Sequence, residues 1–166
     1  VDPDTLKLLN EQVHSAGAEC GIGFDGDGDR IGVIDKTGRQ VSGDLLTAFL
    51  SLDILDRHKG AEILFDVKSS STALDIVRQA GGKPHLWRTG HSHMKKRLKE
   101  LGAPLAGEMS GHIFYADDFY GFDDALYVAC RFLSRLTHMK QEKNESLADF
   151  LDQLPPSFTT PECHIP

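Results

Sequence analysis

The sequence predicts an α/β fold, a layered mixed β-sheet flanked by helices. Short apolar runs alternate with stretches of helical periodicity, the pattern of a chain that builds sheet and helix in turn. Capping residues, glycine pairs and prolines fall between them, where such a chain has to turn. No internal repeat or low-complexity segment breaks the alternation.

Residues 4–16 place Leu6, Leu9, Val13 and Ala16 on one helical face, with Gly17 as a stop signal. Cys20 to Phe24 reads as a short buried strand. After an acidic loop, Ile31 to Asp35 resumes extended structure, and Lys36-Thr37-Gly38-Arg39 reads as a hairpin turn. Asp44 is a candidate cap for a helix carrying Leu45, Phe49 and Leu52 in one stripe. Ile63 to Val67 reads as a strand, and Ser69 to Thr72 as a capped start to a helix with Ala73, Val77 and Ala80 inward, closed by Gly81-Gly82. Pro84 to Trp87 is the next strand, followed by a basic helix to Leu101 capped by Ser92. Leu105-Ala106 and Ile113 to Tyr115 are short strands able to pair back on each other. Asp123 or Asp124 caps a long helix with Leu126, Ala129, Leu133 and Leu136 aligned. Residues 137–145 read as an exposed turn, Ser146 to Leu151 as a short helix, and Pro155-Pro156 as its breaker.

Composition narrows the class. The chain has 166 residues, 18 Lys and Arg against 25 Asp and Glu, a net charge of −7 and 40% hydrophobic residues. That is enough apolar content for a sizeable core. The acidic balance argues against a general nucleic-acid binder, which needs clustered basic residues. No apolar run approaches the length of a membrane helix, and no signal-peptide pattern opens the chain. Cys20, Cys130 and Cys163 are odd in number and contain no Cys-x-x-Cys pair, which fits a reducing, cytoplasmic setting; Cys20 and Cys130 read as buried small hydrophobes. A first residue of Val1 suggests a piece of something longer.

The densest chemistry is Asp25-Gly26-Asp27-Gly28-Asp29-Arg30. Three carboxylates at alternate positions, separated by glycines, aim hard oxygens at one place, and a divalent cation offsets their repulsion. An EF-hand needs Gly and Glu where this stretch has Arg30 and Lys36. Gly21-x-Gly23-x-x-Gly26 spells a dinucleotide fingerprint, but it runs into aspartates that would repel a pyrophosphate. A second cluster, Gly107-Glu108-Met109-Ser110-Gly111-His112, offers Glu108 and Ser110 to the vicinal hydroxyls of a sugar and His112 for proton transfer. A third, Arg88-Thr89-Gly90-His91-Ser92-His93, makes Gly90 and His91 candidates for contact with a sugar or phosphate oxygen; no further ligand is spaced to make the two histidines a zinc site. Lys95, Lys96 and Arg97 read as a solvated helix face. Lys68, at the end of a strand, points towards the usual ligand crevice of an α/β sheet.

In this order the motifs resemble the α-D-phosphohexomutase superfamily, in particular its bacterial-type phosphomannomutase/phosphoglucomutase group. The resemblance rests on residues 23–30 (GFDGDGDR), 65–68 (FDVK), 89–92 (TGHS), 107–112 (GEMSGH) and 121–124 (GFDD). It implies a four-domain enzyme that interconverts hexose 1-phosphate and hexose 6-phosphate through a phosphoserine and a bisphosphate intermediate, with hexose 1,6-bisphosphate as activator. Residues 1–40 would then be the end of a second domain, 41–155 a third, sugar-binding domain, and 156–166 a linker. The resemblance further implies that Asp25, Asp27 and Asp29 hold Mg²⁺, that Arg30 lies near the transferring group, and that Glu108 and Ser110 grip the sugar beside His91 and Gly90. His112 and Lys68 become proton-transfer or positioning candidates. The phosphoserine motif and the basic phosphate-gripping loop are not in this sequence. The chain is therefore expected to be inactive alone and to bind Mg²⁺ weakly. The rival reading is a non-catalytic module that binds metal or sugar phosphate.

Overall fold

The structure, a computed structural model, describes residues 6–156. The first residues of the expected N-terminal helix, Cys163 and all but the first residue of the expected linker lie outside the described residues. The chain order is α1 (Lys7–Ala16), β1 (Cys20–Phe24), β2 (Ile31–Asp35), β3 (Gln40–Val41), α2 (Gly43–Arg57), β4 (Glu62–Asp66), α3 (Ser71–Gln79), β5 (Lys83–Trp87), α4 (His91–Leu101), β6 (Leu105–Gly107), β7 (Ile113–Tyr115), α5 (Ala125–Lys143) and α6 (Leu147–Asp152).

Two sheets result. The first is antiparallel, in the order β1-β2-β3, and the second is mixed, in the order β5-β4-β6-β7. In the second, β4 runs parallel to β5 and β6, and β7 folds back antiparallel on β6. Alternation along its strands assigns two faces. Ile63, Phe65, Leu105, Ile113 and Tyr115 join one cluster with α2, α3, α5 and α6. Leu64, Ala106 and Phe114 join the other with Met94 and Leu98 of α4. The sheet is thus covered on both faces, which is why Ile63, Leu64 and Phe65 form an unbroken apolar run.

The first sheet is not separate from this core. Ile31, Val33 and Val41 belong to the larger cluster, while Ile34 packs with Leu6 and Val13 under α1. Gly21 is required there, because a β-carbon would sit 2.7 Å from Val13 and 2.9 Å from Ile34.

Several local expectations need correction. The helix after Val41 begins one residue before Asp44, with Ser42 at its N-cap. Asp44 is instead buried, accepting from the Ser42 hydroxyl and from the Ser70 backbone N–H at 2.8 Å. That helix buries Leu46, Ala48, Phe49, Leu50, Ile54 and Leu55 on more than one side, not a single Leu45/Phe49/Leu52 stripe. Gly90, not Ser92, caps α4, so His91 opens the helix. Asp124 caps α5 through the Tyr127 N–H. The buried face of α5 is Ala125, Val128, Ala129, Phe132, Arg135 and Met139, whereas Leu126 and Leu133 are exposed. Residues 137–143 continue α5 instead of forming a turn, and Asn144 ends it in the left-handed conformation. Cys130 is exposed, and β1 is only half-buried, with Phe24 exposed.

Candidate functional site

The parallel strands β4, β5 and β6 all end at the same edge of the mixed sheet, with Asp66, Trp87 and Gly107 as their last residues. The helix after β4 lies on one face and the helix after β5 on the other. Ligand crevices of α/β sheets form where connections part in this way.

The loops at that edge are tied together by buried polar contacts. Glu108 is 2% exposed; its Oε1 accepts the Gly90 N–H at 2.8 Å and its Oε2 accepts the Ser110 hydroxyl at 3.1 Å. Asp66 is fully buried and accepts from the Ser69 hydroxyl at 2.9 Å, the Thr89 hydroxyl at 3.3 Å and the Met109 N–H at 3.4 Å. One carboxylate therefore links the ends of three strands. It stands in the quoted Phe65-Asp66-Val67-Lys68 stretch, yet its role was not read from the sequence. Gly43 and Gly107 let this loop sit against α2: a β-carbon on Gly43 would collide with the Glu108 carbonyl, and one on Gly107 with the Thr47 side chain.

The acidic loop joins the same cluster. Ile31 donates its N–H to the Gly111 carbonyl at 3.2 Å, and Arg30 forms an isolated antiparallel bridge with His112. Asp25, Asp27 and Asp29 each bring one oxygen within 4.8 Å of the others. The Asp25 carboxylate accepts from Arg30 twice, from its N–H at 3.1 Å and its Nε at 2.6 Å. Desolvation pushes the Asp25 carboxyl upward, but these bonds outweigh it and hold the group well below the usual carboxylate range. Desolvation and the neighbouring carboxylates of Asp27, Asp25 and Asp123 push Asp29 upward, against the pull of His112. Three oxygen donors this close have the chemistry of a site for a hard divalent cation such as Mg²⁺.

His112 is 16% exposed and lies at the junction. Its Nδ1 is 3.0 Å from Asp123 Oδ2 and 3.7 Å from Asp29 Oδ2, and its ring stacks loosely with those of His91 and Phe114. Asp123 also accepts from Lys95 Nζ at 3.0 Å. Desolvation raises the Asp123 carboxyl, yet the Lys95 bond dominates with its partners and leaves it below the ordinary range. Two of the three basic residues expected on a solvated face are instead partly buried: Lys95 against Asp123, and Arg97 over the Trp87 ring at 4.6 Å. Lys68 stands exposed in the turn after β4.

The structure thus brings Asp25, Asp27, Asp29, Arg30, Gly90, His91, Glu108, Ser110 and His112 into one region, with Lys68 on the turn that leaves the same sheet edge. Residues 42–158 match the family described as phosphoglucomutase/phosphomannomutase, alpha/beta/alpha domain III. The chain belongs to the phosphoglucomutase/phosphomannomutase family.

Relatives in this family include a phosphomannomutase/phosphoglucomutase of Pseudomonas putida, 44% identical over 98% of this chain and 34% of its own length. A phosphoglucomutase of Neisseria gonorrhoeae is 39% identical over the same shares. A crystal structure of a phosphoglucomutase/phosphomannomutase family protein from Burkholderia thailandensis superimposes with a TM-score of 0.88 at 41% identity, over 96% of this chain and 34% of that one. The chain spans about a third of the length of the curated relatives it matches. No helix among the described residues is long and apolar enough to cross a membrane.

Proposed function

We propose that this chain is the metal-holding and sugar-gripping part of a phosphohexomutase, which interconverts hexose 1-phosphate and hexose 6-phosphate in a reducing, cytoplasmic setting. In this reading residues 1–40 end a second domain, 41–155 form a third and 156–166 lead onward. A seryl phosphate comes from a part of the enzyme outside this chain. The observation that carries the reading is the single junction of the three loops. The Gly107–His112 loop is hydrogen-bonded to the acidic loop through Ile31 and Gly111, and to the Thr89-Gly90 turn through Glu108.

Phosphoryl transfer needs positioning and neutralisation of charge more than covalent assistance. Asp25, Asp27 and Asp29 would hold Mg²⁺, which would supply that neutralisation. Arg30, locked to Asp25 by its Nε, keeps a guanidinium beside the acidic loop. Glu108 and Ser110, already paired, present fixed acceptor oxygens to vicinal hydroxyls, and a symmetric diol grip suits a sugar that must bind in two orientations. His91 lines the same place. His112 accepts the proton of the sugar hydroxyl as its oxygen bonds to the phosphorus of the phosphoserine, and the bond from phosphorus to the seryl oxygen breaks, which frees that oxygen to attack in the return transfer. The bisphosphate then reorients and returns its other phosphoryl group to the serine, and the proton goes back to the freed sugar oxygen. Lys68 serves as a cationic positioning group.

The test is an assay of the full-length protein with hexose 1-phosphate, Mg²⁺ and catalytic hexose 1,6-bisphosphate. Accumulation of hexose 6-phosphate is expected, and Asp27→Asn and His112→Ala should each lower kcat about 100-fold or more. Unchanged turnover in both variants would remove the assignment. The 166-residue chain alone should show none.

A further inference from the structure

Of the two aspartates in Phe122-Asp123-Asp124, only the second caps α5. The first is turned to a different use. The Asp123 side chain is 7% exposed, and its backbone is bridged to Phe114 of β7, which fixes where the carboxylate can reach. One oxygen, Oδ1, takes Lys95 Nζ from α4 at 3.0 Å. The other, Oδ2, meets His112 Nδ1 at 3.0 Å. Asp29 lies 3.7 Å from that same nitrogen, too far for a hydrogen bond, so Asp123 is the carboxylate that His112 pairs with.

A carboxylate accepts and does not donate, so this bond requires the proton of neutral His112 to be on Nδ1. The ring nitrogen left without a proton is then Nε2. Lys95 holds Asp123 from the far side and compensates its charge, so the partly buried carboxylate keeps its full negative charge facing the imidazole. The neighbouring rings of Phe114 and His91 lie within 15° and 23° of the His112 plane.

We propose that Asp123, held by Lys95, is a positioning residue for His112: it locks the imidazole in the Nδ1–H tautomer and leaves Nε2 as the atom that takes a proton. The catalytic half of this inference rests on His112 being the proton acceptor proposed above; the tautomer half does not. When a sugar hydroxyl yields its proton to Nε2, the resulting imidazolium keeps its Nδ1–H bond to Asp123, and the proton returns from Nε2 when the phosphoryl group is handed back.

Two measurements separate the halves. On the 166-residue chain labelled with ¹⁵N, long-range proton–nitrogen correlation at alkaline pH, where imidazoles are neutral, should show His112 protonated at Nδ1. Asp123→Ala should move the proton to Nε2, and Asp123→Asn, whose amide oxygen can still accept, should keep it on Nδ1. A wild-type His112 protonated at Nε2 would overturn the inference whatever the variants do. In the full-length enzyme, Asp123→Ala should lower kcat about 100-fold with KM for hexose phosphate little changed, and Asp123→Asn should recover most of the loss. An unchanged kcat in Asp123→Ala would overturn the catalytic half. Absence of turnover in the wild-type enzyme would instead count against the proposed function, with the tautomer still deciding the rest.

Discussion

Gly90 donates its backbone N–H to Glu108 Oε1 at 2.8 Å, so the carboxylate that follows one strand holds the turn that follows another. The two residues are 18 apart in sequence and belong to loops that the parallel strands β5 and β6 deliver to one edge. Because Glu108 is almost wholly buried, this bond sets the geometry of both loops.

Removing that carboxylate strands the Gly90 amide and the Ser110 hydroxyl. Glu108→Ala should destabilise the chain by about 2 kcal/mol. Glu108→Gln, which keeps an oxygen for Gly90, should recover most of it. Urea unfolding followed by the fluorescence of the single tryptophan, Trp87, measures both.

Gly111 sits at φ +96°, and a β-carbon there would lie 2.6 Å from the Ile31 carbonyl oxygen. Gly111→Ala should cost about 3 kcal/mol, from backbone strain and the collision together. It should also shift the amide resonance of Ile31, whose N–H bonds to the Gly111 carbonyl. A variant as stable as the parent, with Ile31 unmoved, would contradict the docking of the two loops.

Asp35 supplies a pH dependence remote from the site. It is fully buried; desolvation raises its carboxyl, but bonds from the Thr37 hydroxyl and N–H and from the Arg39 N–H and Nε outweigh that, and the group lies below its ordinary value. A depressed folded value stabilises above the unfolded carboxylate range, near pH 4. That contribution is lost as pH falls from there through the folded value. Asp35→Asn should be less stable by about 2 kcal/mol at neutral pH, and the difference should shrink as the solution is acidified below about pH 4. Thermal melts of both proteins across that range check it.

Magnesium should bind this chain with a dissociation constant on the order of a millimolar, since one of the three carboxylates is committed to Arg30. At about ten times that concentration the gain in stability is about 1.4 kcal/mol, a few degrees in Tm. Asp27→Asn should abolish the shift, and EDTA should reverse it. An equal shift in Asp27→Asn would place the ion elsewhere.

The longer strands were legible because apolar runs such as Ile31–Asp35 are bounded by glycine and charge, and the glycine-spaced aspartates announce their own chemistry; the two-residue strand Gln40–Val41 and the order of strands within each sheet were not. The far end of α5 was not legible. Its exposed face through Thr137, Lys140 and Lys143 is polar enough to read as loop, and only burial of Phe132, Arg135 and Met139 sustains the helix. The roles of Asp66, Lys95 and Asp123 were equally hidden. Each acts through contacts with residues 11 to 43 positions away, and such pairings leave no periodic trace along the chain. Asp123 and Asp124 are chemically identical neighbours, and only the tertiary arrangement decides which one caps a helix and which one faces an imidazole.

The proposed function requires the carboxylates of Asp25, Asp27 and Asp29 to share one site with the Gly107–His112 loop. Substoichiometric Mn²⁺, a paramagnetic stand-in for Mg²⁺, should broaden the amide signals of residues 25–30 and of Ser110, Gly111 and His112, while those around Asn144 stay sharp. Broadening confined to residues 25–30, or scattered over the acidic surface and unaffected by Asp27→Asn, would contradict it.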